Sequence, residues 1–193
     1  MPVNHLLNRK FIQLQIRTLV LLGQRQRALE RVGDLIVINA ADPYALSTRA
    51  HLLAELGDKA GAQQALQQLV AAQPAQPAGW FNLGYLSEEM GHLEEAEAAF
   101  RRATDLDPQL DRAWYGLGLS LIRQRRFDEA LIALRKNTEL QPMSPYGWYQ
   151  LARVHVDRQE PDEAAKIIRH LRKFEPKVAA QLERETGLGQ ARA

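Results

Sequence analysis

The sequence predicts an all-α fold, a solenoid of stacked helical hairpins, and three observations carry that prediction. An alanine recurs every 34 residues, at Ala28, Ala62, Ala96, Ala130 and Ala164. Two other series keep step with it: Trp80, Trp114 and Trp148, and Pro74, Pro108, Pro142 and Pro176. The composition is dominated by alanine, leucine, glutamine, arginine and glutamate, all good helix formers. A fixed period of this size marks a repeat protein whose units bury their apolar faces only against their neighbours.

Counted on the alanine, five units follow one another without insertion: 9–42, 43–76, 77–110, 111–144 and 145–178. The third shows the elements most clearly. Trp80, Leu83, Gly84, Leu86 and Ser87 lie on a first helix that ends at Gly91, where glycine can adopt a left-handed conformation. Leu93, Ala96, Phe100 and Ala103 then follow at helical spacing and form the apolar face of a second helix. Pro108 prevents its continuation. Gly84, Gly118, Ala50 and Ala152 are expected to face the repeating alanine, so that small residues on both sides let the two helices of a hairpin approach closely.

Two turns depart from the pattern. Arg125 and Gln159 stand where the first three units have Gly23, Gly57 and Gly91. Those turns are tighter, strained or of another geometry. Pro161 opens the last second helix, a position where its missing N–H costs little. Residues 177–187 form a capping helix, with Leu182 at the tryptophan position and Gln181, Glu183, Arg184 and Glu185 on a wet face. Residues 188–193 form a frayed tail, and the whole of 1–193 is a single domain.

The front end is the anomaly. Apolar residues, among them Leu7, Phe11, Ile12, Leu14, Ile16 and Leu21, go most of the way round the first helix. A terminal helix should keep one solvated face. Either the first hairpin is thickly buried, or Leu7, Phe11, Leu14 and Leu21 form a surface for homo-oligomerisation or for docking into a larger complex.

The third unit (Trp80, Leu83, Gly84, Ala96, Phe100, Pro108) and the fourth (Trp114, Leu117, Gly118, Ala130, Leu134, Pro142) resemble the tetratricopeptide repeat pattern W-x2-L-G-x2-Y…A-x3-F…P. The fifth follows it with Trp148, Leu151, Ala152, Ala164, Ile168 and Pro176. The second is weaker, and the first is degenerate. The resemblance spans 9–178. It implies a right-handed superhelix whose first helices line a concave groove, and a non-catalytic scaffold or adaptor that binds a peptide or helix of another protein there. On this chain the groove register gives Phe81, Asn82, Tyr85, Arg112, Tyr115, Leu119, Arg123, Tyr149, Gln150 and Arg153. Aromatics and arginine often carry interface energy. The competing reading is that the aromatics pack between successive first helices. The third unit has a balance of −5 and the fourth and fifth +2 each, which suggests a ligand with acidic residues toward the C-terminal half.

Other chemistry finds little support. There is no cysteine, and the five histidines show no metal-ligand spacing. No nucleophile elbow or phosphate loop occurs, so we expect no catalytic residues, no metal and no cofactor. The net charge of +2 argues against a nucleic-acid partner. The greasiest run, Leu19–Leu22, is too short to span a bilayer. With no signal peptide visible, the sequence points to the cytoplasm and leaves open a leader already removed.

Overall fold

The computed structural model describes the backbone of residues 2–188 and the side chains of residues 8–188. Among the described residues the chain forms eleven helices and no strand. It divides into two compact units, Met1–Met90 and Gly91–Ala193. The first holds α1 (Pro2–Leu21), α2 (Arg25–Ile38), α3 (Pro43–Glu55), α4 (Lys59–Ala72) and α5 (Pro77–Glu89). The second holds α6 (Leu93–Leu106), α7 (Asp111–Arg123), α8 (Phe127–Leu140), α9 (Pro145–Asp157), α10 (Pro161–Leu171) and α11 (Pro176–Thr186). Within each unit every helix packs on the next in sequence.

All five repeating alanines have no exposed surface. One of the small residues expected opposite them, Gly118, works differently from expectation. A Cβ on Gly118 would lie 2.7 Å from Cδ2 of Leu134, so this glycine makes room for the leucine one turn beyond Ala130, not for the alanine itself. Gly116 likewise accommodates Phe100, since a Cβ there would lie 2.5 Å from Cζ. The glycine pair in α7 is therefore packing. The tryptophan and proline series prove to be one device. The indole N–H of Trp80 donates to the Pro74 carbonyl at 2.9 Å, Trp114 to Pro108 at 3.0 Å and Trp148 to Pro142 at 2.9 Å. Each half-buried ring thus satisfies its polar atom on the loop that precedes its own helix.

The inter-helix turns share one conformation. Gly23, Gly57 and Gly91 have φ of +70°, +88° and +81°, and Arg125 and Gln159 adopt the same left-handed region at +59° and +62°. Of the three possibilities the sequence leaves open, the geometry is conserved and the two bulky residues bear its cost.

The C-terminal register breaks. Pro43, Pro77 and Pro145 each open a first helix in step with the 34-residue period. Pro176 also opens a helix, but it stands 31 residues after Pro145, because α10 has 11 residues where α8 has 14. Pro176 therefore belongs with the helix-opening prolines, not with the loop prolines 74, 108 and 142. Counted from the helix start, Leu182 matches Leu151 rather than a tryptophan, and Ala179 takes the place of Trp148; both are fully buried. Leu188, counted with the tail in the sequence reading, packs against the cluster of Ala152, Ile168, Leu171, Ala179 and Leu182. Residues 189–193 lie outside those described.

At the front, Ile12 and Ile16 are buried against Ala28, Val32 and Leu35. Phe11, Leu14 and Leu21 are exposed at 59%, 62% and 87%, so the first hairpin is not buried all round. The Leu7 side chain lies outside those described. Asp42 caps α3 by accepting from the Ala45 N–H at 3.1 Å and is tied to α1 by Arg9 at 2.7 Å.

Two substitutions test this packing. Arg125→Gly relieves the left-handed strain at an exposed turn and should raise stability by about 1 kcal/mol, seen as a higher thermal midpoint. Ser120 is fully buried, its hydroxyl has no partner among the described residues, and the equivalent positions hold Leu52, Leu86 and Val154. Ser120→Ala removes the orphaned group and should stabilise by about 1 kcal/mol in denaturant titration.

Candidate functional site

The residues of the expected groove fall on three helices in two units: Phe81, Asn82 and Tyr85 on α5, Arg112, Tyr115, Leu119 and Arg123 on α7, and Tyr149, Gln150 and Arg153 on α9. In the second unit the two tyrosines are engaged within the chain. Tyr115 is half-buried against Leu131, Leu134, Leu151 and Val154. Tyr149 packs on the C-terminal cluster, and its hydroxyl donates to Oε2 of Glu185 on α11 at 2.6 Å. Arg153 donates to the same carboxylate and to the tyrosine oxygen, both at 3.3 Å. The bond to Glu185 holds the Tyr149 phenol above its ordinary pKa. For both tyrosines the structure favours packing between successive first helices.

The open concavities of the first unit lie upstream. One groove of about 510 Å³ runs between α1 and α3, with Ile16, Val20, Leu21 and Tyr44 forming apolar walls. Arg17, Ser47, Thr48 and His51 complete it. The Arg17 guanidinium sits 5.9 Å from the Tyr44 ring centroid, a cation–π geometry that leaves the charge at the surface. A second hollow of about 220 Å³ between α3 and α5 shares Ser47 and His51 and adds Asn82, Tyr85 and Glu89. The two form one line across three first helices. Tyr85 is 54% exposed and donates to Glu89 at 3.2 Å. Arg17, Tyr44, Ser47 and His51 stand at the groove positions of the first two units, where the residue type changes from one unit to the next. Position, rather than aromatic recurrence, was the signal that marked them.

Charge is paired across the turns. In the first unit Arg25 meets Glu55 at 2.7 Å and Lys59 meets Glu89 at 3.5 Å. In the second, the buried carboxylate of Glu97 receives Arg126 at 2.5 Å, Arg101 at 2.8 Å and Gln124 at 2.9 Å. Glu129 closes the ring with Arg126 at 2.7 Å and Arg101 at 2.6 Å. Burial alone would raise the Glu97 pKa, but hydrogen bonds from Arg101 and Gln124 and the charges of Arg126 and Arg101 outweigh it and hold the group below its ordinary value. Arg158 bridges Asp128 and Glu160, and Glu160 lies 2.7 Å from Nδ1 of the buried His155. Part of the positive charge of the last two hairpins is therefore committed within the chain. It supplies weaker grounds for an acidic ligand there than the sequence suggests.

Among the described residues, no group of three or more histidine or acidic side chains is arranged to hold a metal ion, and no helix is long and apolar enough to cross a membrane.

Hairpins at a 34-residue period, with buried alanines and left-handed turns, define a helical repeat protein made for contact with other proteins. The tetratricopeptide repeat pattern matches residues 47–111, 88–145 and 115–178, and the chain belongs to that family. No curated protein is similar enough in sequence to match. Among solved structures, MamA from Desulfovibrio magneticus RS-1 is 20% identical, with a TM-score of 0.77 over 91% of this chain and 95% of that one. YrrB, described as a TPR protein with an unusual peptide-binding site, is 16% identical, with a TM-score of 0.77 over 88% of each chain. The pilF protein of Pseudomonas aeruginosa is 17% identical, with a TM-score of 0.69 over 96% of this chain and 92% of that one. At these identities the likeness is one of fold.

The carboxylate network sets a pH dependence. Glu97, Glu129, Glu160 and Glu185 all have folded-state pKa values below the ordinary one. Their contribution is fully present above the unfolded carboxylate pKa and is lost as pH falls through that value toward the folded ones. The thermal midpoint should therefore drop between about pH 5 and pH 3, and Glu97→Gln should flatten that drop.

Proposed function

We propose that this protein is a non-catalytic binding module that holds a short segment of another protein in the groove of its first unit. The observation that carries the reading is the continuous line of the two hollows across α1, α3 and α5. Its walls are apolar, through Ile16, Val20 and Tyr44, and Arg17, His51 and Asn82 stand at the rim. Such a surface takes an apolar side chain between the helices and offers donors to the backbone or to an acidic group beside it. Membership of the tetratricopeptide repeat family supports a protein partner, and the peptide-binding site named for YrrB supports a peptide as the ligand.

Asn82 and Tyr85 remain in this surface, and Phe81 lies beside Tyr85 with ring centroids 6.5 Å apart. Tyr115, Tyr149 and Arg153 are assigned to packing and to the C-terminal helix. Alanine at Tyr115 and Tyr149 would therefore report on stability rather than on binding.

The test uses residues that are solvent-exposed, so that folding is preserved. Peptides are selected from a displayed library on the wild-type protein, and their affinities measured by titration. Arg17→Glu combined with His51→Ala and Tyr85→Ala should weaken them at least about tenfold. Tyr146→Ala, at an exposed tyrosine of the second unit, should leave them unchanged. The opposite pattern would move the site to the second unit and overturn the assignment.

A further inference from the structure

The outer face of the first hairpin is the second surface without an explanation. In every later hairpin through the fifth, the position equivalent to Phe11 holds a small buried residue: Ala45, Gly79, Ala113 and Gly147. That is where the second helix of the preceding hairpin lands. A Cβ on Gly79 would lie 3.3 Å from Val70 of α4, and one on Gly147 would press on Asn137 and Thr138 of α8. Phe11 puts a benzyl group at this position, 59% exposed. The face is apolar, but it cannot accept another hairpin at the spacing used elsewhere in the chain.

Its charges point to a different occupant. A groove of about 710 Å³ lies between α1 and α2, with Leu14 and Thr18 on one side and Arg27, Glu30, Arg31 and Asp34 on the other. These four lie on one face of α2, at spacings of three and four residues. Read along the helix, the row is positive, negative, positive, negative. Reversed, it is its own complement. In an antiparallel pair about a two-fold axis between residues 30 and 31, Arg27 meets Asp34 of the second copy and Glu30 meets its Arg31. All four contacts join opposite charges. A parallel in-register pair would set like against like. Arg31 and Asp34 already bond within the helix at 2.9 Å, and both are half-exposed, so each keeps room for a second partner.

We propose that this face binds a second copy of the chain, forming an isologous two-fold dimer through antiparallel α2 helices, with Phe11 and Leu14 covered at the sides. The apolar residues supply affinity and the charge row sets orientation. The interface is separate from the peptide groove, so neither reading depends on the other.

The experiment is a charge exchange followed by analytical ultracentrifugation across the micromolar range. The wild-type chain should sediment at twice the mass of one chain, with an association that weakens as salt rises. Arg27→Glu with Arg31→Glu makes the row wholly acidic, and Glu30→Arg with Asp34→Arg makes it wholly basic. Each double variant should associate at least about tenfold more weakly, and an equimolar mixture of the two should recover a heterodimer. All four positions are exposed, and far-UV circular dichroism verifies the helix content. Leu14→Glu is a second, charge-independent disruption, expected to give monomer. A monomeric wild-type chain overturns the proposal. So does a dimer indifferent to both reversals, or a mixture that fails to pair.

Discussion

Little larger than a methyl group fits at five positions along this chain, and the rest of the architecture depends on that. Ala28, Ala62, Ala96, Ala130 and Ala164 are all sealed from solvent. Close approach leaves room for a large side chain only one turn away, which is where Leu134 rests over the bare backbone of Gly118. It also draws the tryptophan rings into half-buried sites, where their N–H groups would lose water without return. The loop carbonyls of Pro74, Pro108 and Pro142 provide that return. Proline is suited to the role because it ends the helix before it and leaves its own carbonyl available.

Helices, turns and the hairpin repeat were legible from residue spacing because packing against an identical neighbour imposes the same residue at the same place. The groove was less legible for the same reason. A period reports what a unit does to its neighbours, and the recurring Tyr115 and Tyr149 both have contacts within the chain. Arg17, His51 and Tyr85 share one register and differ in kind, as residues facing something other than a repeat are free to do. The left-handed turns at Arg125 and Gln159 were visible only as missing glycines, since sequence does not say whether backbone or side chain yields. Pro176 was placed in the wrong series because both kinds of proline fall near the same point of the period.

Polar interactions distinguish one junction from another where the apolar core cannot. The first unit places base before acid across its turns, Arg25 to Glu55 and Lys59 to Glu89. The second uses both orders, with the buried Glu97 facing Arg126 from the following turn and Arg101 facing Glu129. A misplaced hairpin would cost Glu97 the hydrogen bonds of Arg126 and Gln124 and leave it only Arg101 of its own helix. Glu97 is thus the residue of the acidic third repeat that matches an arginine of the next.

The shortened α10 gives the array a direction of growth. The hairpins after the first keep the 34-residue count through the start of α10, so each begins its helices at the same point of the period. Beyond α10 the frame has lost three residues, a rotation of about 300° for any helix that kept the old count. That is equivalent to about 60° in the other sense, so a helix that kept the old count would meet Ile168 and Leu171 with the edge of its apolar stripe rather than its centre. Lengthening of this repeat array, by recombination or by design, is therefore easiest among the hairpins between Pro43 and Pro161.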